Sequence, residues 1–175
     1  MLNILAINKY TTITYTIPKI HCLFINISRN IYDIFRFFLE CGGVFVGDRG
    51  NFSSPVVNGV YPAGAQCVWR INVDKNHTVV VRFKDFDLEE DKKCYYDYVA
   101  FYDGDYSLPS LPANKQLMRF CGNSTPPRAH PPFGYPINSS DSDMTVYFKT
   151  DLTKERKGFT VEWYKVLKSK LKAQE

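Results

Sequence analysis

Five cysteines carry most of the reactive potential of this 175-residue chain: Cys22, Cys41, Cys67, Cys94 and Cys121. A thiol can ligate zinc, attack a carbonyl or close a disulfide, and spacing discriminates among these. The last four cysteines stand 26, 27 and 27 residues apart, with no C-x-x-C pair. Zinc sites usually draw tighter pairs of ligands, and only His21, His77 and His130 could help. His21 adjoins Cys22, but neighbours in sequence do not make a nucleophile–base dyad. Disulfides are the better reading, although sequence alone leaves fifteen arrangements (five choices of the odd cysteine, three pairings of the rest).

Five Asn-x-Ser/Thr triplets point the same way: Asn26, Asn51, Asn76, Asn123 and Asn138. Each alone is a weak signal; beside disulfide-forming cysteines they favour the secretory route and an extracellular, secreted product. Catalytic patterns are missing. The sequence has no HExxH, no GxSxG elbow and no glycine-rich phosphate loop, so an enzyme is not expected. Net charge is only +4, too mild and dispersed for a nucleic-acid partner. No stretch approaches about 18 apolar residues, so no membrane span is expected.

These groups must be positioned by strands. Cys67, Trp69, Ile71 and Val73 alternate with Val68, Arg70 and Asn72. Val79, Val81 and Phe83 alternate with Val80, Arg82 and Lys84, and the phase then slips at Phe86 and Leu88, which predicts a bulge. Tyr98 to Tyr102 runs into the turn signal Asp103-Gly104. Met144, Val146 and Phe148, then Phe159, Val161 and Trp163, repeat the period of two. Several short strands with turns between them predict an all-β, antiparallel sandwich.

Two segments stand apart. Residues 1–40 hold nine Ile and no Gly, and their apolar residues keep neither strand nor helix period. They also lack a signal peptide's basic start, continuous apolar core and cleavage site. They are expected to lie outside the domain, as a poorly ordered extension or translated sequence from a mis-assigned start. Pro126 to Pro136 holds five prolines in eleven residues, an exposed connection that could offer Phe133 and Tyr135 for recognition.

The residues from Cys41 onward resemble a CUB domain. Cys41-Gly42-Gly43, Gly50-Asn51-Phe52-Ser53-Ser54-Pro55 and Tyr61-Pro62 are similar to its opening, and Cys67-Val68-Trp69-Arg70-Ile71 to its second cysteine strand. Phe83 to Glu89 and Cys94-Tyr95-Tyr96-Asp97-Tyr98-Val99 resemble the central signature; Asp103-Gly104, Cys121-Gly122, Phe148-Lys149-Thr150-Asp151 and Gly158-Phe159 complete it. Two departures stand out: Val57-Asn58 replaces the usual Tyr-Pro after Ser-Pro, and the proline-rich loop is longer than the family needs. The resemblance implies a two-sheet jelly-roll sandwich over residues 41–166, leaving 167–175 as a solvated basic tail. In that reading Lys165, Lys168, Lys170 and Lys172 form one charged run.

The same resemblance implies the bridges Cys41–Cys67 and Cys94–Cys121. It also implies a calcium site of Glu89, Asp97 and Asp151, with Tyr61 alongside. Taken singly, Glu89 in Glu89-Glu90-Asp91 reads as a solvated loop charge; the joint match of three acids and a tyrosine favours a Ca2+ ligand set. A hard cation wants about 6–8 oxygens. Three carboxylates drawn together without one would repel each other. The implied function is a calcium-dependent protein-binding module, whose Tyr61, Glu89, Asp97 and Asp151 face a Lys or Arg on an extracellular partner. The alternatives are a non-catalytic piece of a secreted CUB-containing protease, and a calcium-independent glycan- or lipid-binding protein of spermadhesin type. Glycosylation is expected at Asn51, Asn76, Asn123 and Asn138.

Overall fold

In a computed structural model of the chain, residues 16–17, 20–21, 41–123 and 136–171 are described. Cys22, Asn26, His130, the apolar residues between 23 and 38, and nearly all of the proline-rich loop lie outside them. The chain divides into two units, Met1–Leu39 and Glu40–Glu175. In the first, β1 (Thr16–Ile17) and β2 (Ile20–His21) pair antiparallel.

The second unit is a two-sheet sandwich. Its strands are β3 (Gly43–Val46), β4 (Arg49–Ser53), β5 (Gln66–Asn72), β6 (His77–Asp87), β7 (Tyr98–Asp103), β8 (Gln116–Phe120), β9 (Ile137–Asn138), β10 (Asp143–Lys149) and β11 (Gly158–Leu167). One sheet has the order β3-β5-β10-β7-β8, the other β4-β11-β6-β9. All pairs in the two sheets are antiparallel except the edge strand β3, which runs parallel to β5. Between those two the chain visits the other sheet as β4, and this crossover is what lets β3 run parallel.

The alternation read from sequence fills the space between the sheets. Cys67, Trp69 and Ile71 of β5 are buried while Val68, Arg70 and Asn72 are half-buried. Phe83 sits edge-to-face against Phe86, Phe101, Phe120 and Phe159, with ring centroids 5.1 to 6.1 Å apart. Such pairs add about 0.5–1.5 kcal/mol each beyond area burial, and they tie both sheets to one lattice. The expected slip is a bulge: Thr160 and Val161 of β11 face Asp85 and Phe83, so Lys84 has no opposite number. Phe86 and Leu88 therefore stay buried.

Outside the five-stranded sheet, Tyr98, Ala100, Tyr102 and Tyr147 bury a second cluster against the Cys94–Cys121 disulfide. The Arg119 guanidinium lies 4.1 Å from the Tyr98 ring centre.

Part of the basic C-terminal run lies within the described residues. Strand β11 continues to Leu167, and one helical turn, α1 (Lys168–Leu171), follows. Lys165 is held between Asp48 and Asp74, and Lys168 Nζ lies 2.6 Å from Asp141. The acidic partners of these two lysines are remote in sequence; Asp74 is 91 residues away from Lys165.

Candidate functional site

At one end of the sandwich three strand termini converge. Asp97 precedes β7, Asp151 follows β10, and Glu89 lies two residues beyond β6. One carboxylate oxygen from each fits within 4.8 Å of the others. Glu89 is 3% exposed, Asp97 fully buried and Asp151 half-buried.

Backbone pairing fixes Glu89. Leu88 N–H donates to the Gly122 carbonyl at 2.6 Å, and Gly122 N–H donates to the Glu89 carbonyl at 2.9 Å. The Cys94–Cys121 bridge closes the same region from the other side. Between them Asp91 accepts the Lys93 N–H at 3.3 Å, an Asx turn, and the Tyr95 N–H at 2.6 Å, which closes the loop.

Tyr61 organises the centre. Its ring is wholly buried and packs edge-to-face on Phe148. Its hydroxyl donates to Asp97 Oδ2 at 2.6 Å and accepts the Glu89 N–H at 3.0 Å. Asp97 Oδ1 accepts the Asp151 N–H at 2.7 Å, so one carboxylate bridges the tyrosine and the third acid's backbone. Burial, helped by the Asp97 carboxylate, raises the Tyr61 pKa and keeps its hydroxyl protonated. Burial also pushes the Asp97 carboxyl above its usual range, against the lowering effect of the Tyr61 and Asp151 hydrogen bonds.

Asp151 is set by its own loop. Its Oδ1 accepts the Thr153 N–H at 2.8 Å, and its carbonyl accepts the Gly64 N–H at 2.6 Å. Thr150 Oγ1 accepts from the Ala65 N–H and donates to the Pro62 carbonyl, clamping the Tyr61 segment to the end of β10. Gly158 closes the far side of this loop at φ +95°, where a Cβ would overlap the Ser54 hydroxyl.

The structure thus brings together Tyr61, Glu89, Asp97 and Asp151. One participant was not anticipated: Lys154 Nζ lies 2.8 Å from Glu89 Oε1, and Glu89 holds the Lys154 pKa above its ordinary value. The other oxygen, Glu89 Oε2, is buried with no hydrogen-bond partner. Only the basic loop Lys154-Glu155-Arg156-Lys157 hinted at a cation here. An all-oxygen donor set with a buried unpartnered carboxylate oxygen fits a hard cation such as calcium.

The cysteines form Cys41–Cys67 and Cys94–Cys121, as the resemblance implied. Asn51, Asn76, Asn123 and Asn138 are all exposed. Asn51 and Asn138 lie on β4 and β9, the two edge strands of the four-stranded sheet. His77 lies at the opposite end, where its Nδ1 is 3.9 Å from Asp74.

A CUB-domain family model matches residues 41–163. Rat (Rattus norvegicus) cubilin is 32% identical over 126 residues, covering 72% of this chain and 3% of cubilin. The full extracellular region of zebrafish Gpr126/Adgrg6 matches with a TM-score of 0.58 at 29% identity, over 73% of this chain and 15% of that one. The MASP-1 CUB2 domain bound to Ca2+ has the same fold, with a TM-score of 0.55 at 24% identity over 71% of this chain and 98% of that domain. The chain therefore spans a small part of the cubilin it matches. CUB domains are non-catalytic protein-interaction modules. With two sheets, both bridges and the matched segment in agreement, the chain belongs to the CUB-domain family.

Proposed function

We propose that this domain is an extracellular, calcium-dependent protein-binding module without catalytic activity. Glu89, Asp97 and Asp151 supply the charged ligands, and Tyr61 fixes two of them. The observation that carries the reading is the buried, unpartnered Glu89 Oε2 beside two further carboxylates. A buried carboxylate oxygen left without a partner is costly, and a cation removes that cost. The MASP-1 CUB2 domain, which shares the fold, is bound to the same ion. Carboxylates held in one arrangement then offer charge-assisted hydrogen bonds to a Lys or Arg of the partner.

Calcium is expected to raise the melting temperature, since a ligand of the folded state alone stabilises by mass action. At a hundredfold excess over Kd the gain is about 2.7 kcal/mol, or roughly 10 °C for a domain this size. Chelator should reverse it. A melting curve unmoved by millimolar calcium counts against the site, and partner binding that persists in chelator favours the calcium-independent alternative.

Two disulfides and exposed sequons support export. We further propose N-linked sugars at the exposed Asn51, Asn76, Asn123 and Asn138. Enzymatic deglycosylation of protein secreted from animal cells should lower its mass and convert the occupied Asn to Asp in peptide maps. Unchanged mass at all four would remove them as acceptor sites.

A further inference from the structure

Lys154 reaches the acidic cluster from within the chain. It lies three residues past Asp151, in the loop leading to β11, so one short segment carries both an acid of the cluster and a base that faces it. Its backbone adopts φ +59°, a left-handed conformation unusual for lysine. The loop is anchored nearby, because Arg156 accepts the Tyr61 N–H at 2.9 Å through its carbonyl. At its far end the ammonium pairs with Glu89 Oε1 at 2.8 Å, although the side chain is 66% exposed while Glu89 is 3% exposed. A buried carboxylate is thus matched by an ammonium that stands mostly in water.

The two oxygens of Glu89 are in different circumstances. Oε1 is engaged by Lys154; Oε2 is buried without a partner. A monovalent ammonium on one oxygen leaves most of the negative charge of three carboxylates uncompensated. Its long, exposed stem leaves it free to depart. We infer that Lys154 is a tethered counter-ion of this site, holding Glu89 when the metal is absent and competing with a divalent cation for the cluster. The inference rests on the calcium reading above and adds the group that sets its affinity. Lys154 lowers the apparent affinity for calcium through repulsion and through the pairing that must be weakened. In return it stabilises the metal-free domain, so the loops keep their arrangement between binding events.

The test uses the full chain, with calcium alone as the probe, in isothermal titration and thermal melting. Lys154→Met keeps the stem and removes the charge; Lys154→Arg keeps the charge. Lys154→Met should bind calcium about tenfold more tightly, the effect of one unit charge a few ångströms away in a partly solvated site. It should also melt lower than the parent in chelator. The gain in affinity should shrink at high salt, because an exposed charge is screened. Lys154→Arg should behave as the parent does. Equal affinities in all three proteins overturn the role of Lys154 and leave the calcium site standing. A gain shared by Met and Arg also overturns it, because the cause is then loop geometry and not charge. Absence of calcium binding in every variant overturns the calcium reading, and the competition with it.

Discussion

Asp97→Ala is expected to abolish the calcium-dependent rise in melting temperature and to destabilise the metal-free domain by roughly 3 kcal/mol. Asp97 is fully buried and accepts two hydrogen bonds, from the Tyr61 hydroxyl and the Asp151 N–H. Alanine orphans the Asp151 N–H and leaves the Tyr61 hydroxyl only a long 3.5 Å contact with the Lys154 carbonyl. It also removes one of the three charged ligands, so the two acids that remain hold a divalent cation far less tightly. Asp97→Asn separates the two effects. The amide keeps the shape and one acceptor oxygen, so stability should fall less, while the calcium response is still lost. The raised Asp97 pKa adds a pH signature. The folded metal-free protein holds this proton more tightly than the unfolded chain, so its stability should fall as pH rises from the ordinary Asp value of 3.8 through the raised one. Asp97→Asn should erase that slope. Denaturant unfolding with and without calcium measures all three quantities, and a calcium response retained by Asp97→Asn would exclude this residue as a ligand.

Removing the Cys94–Cys121 bridge as a double alanine variant should cost about 3.5 kcal/mol by loss of chain constraint. The two bridges close loops of nearly equal length, with sequence separations of 26 and 27. On entropy alone their removal should cost the same. Their surroundings differ. Cys94 and Cys121 pack with Tyr98, Tyr102 and Tyr147, and Cys121 adjoins Gly122, whose backbone pins Leu88 and Glu89. Cys41 precedes the edge strand β3 and is bonded to Cys67 on β5. Loss of Cys94–Cys121 should therefore weaken calcium binding at temperatures where the domain remains folded, and loss of Cys41–Cys67 should lower stability alone. Titrating both double variants well below their melting points tests this, and equal calcium affinities would sink the distinction.

The strands were legible because burial imposes a period of two on their residues, from Cys67 to Ile71 and from Phe159 to Trp163. The bulge was legible because that period breaks at a definite place, between Phe83 and Phe86. The parallel course of β3 was not. Gly43 to Val46 is too short and too exposed to carry a pattern, and its direction is set by a crossover between sheets. The convergence of Glu89, Asp97 and Asp151 came from family resemblance and not from spacing, since each lies on a different strand end. Lys154 had no such guide. A lysine in a basic loop looks solvated until the partner 65 positions earlier is known. The partners of Lys165 and Lys168 are hidden for the same reason: these ion pairs join residues that sequence keeps far apart.

Strand β6 contains one residue more than its neighbour can pair, and that surplus has a bearing on how the family can vary in length. Lys84 sits outside the ladder, joined to the sheet's surface through Glu162 at 2.8 Å. A strand with a spare residue is also one from which a residue can be dropped. Loss of Lys84 would place Asp85 directly after Phe83, matching the consecutive Thr160 and Val161 opposite. Phe86 and Leu88 would remain inward, and Glu89 would still emerge at the same end. Loss of a paired residue such as Val81 would instead turn one side of the remaining strand inside out. Insertions and deletions should therefore be accepted at position 84 and refused a few residues earlier, because the bulge separates the length of the strand from the facing of the acid beyond it.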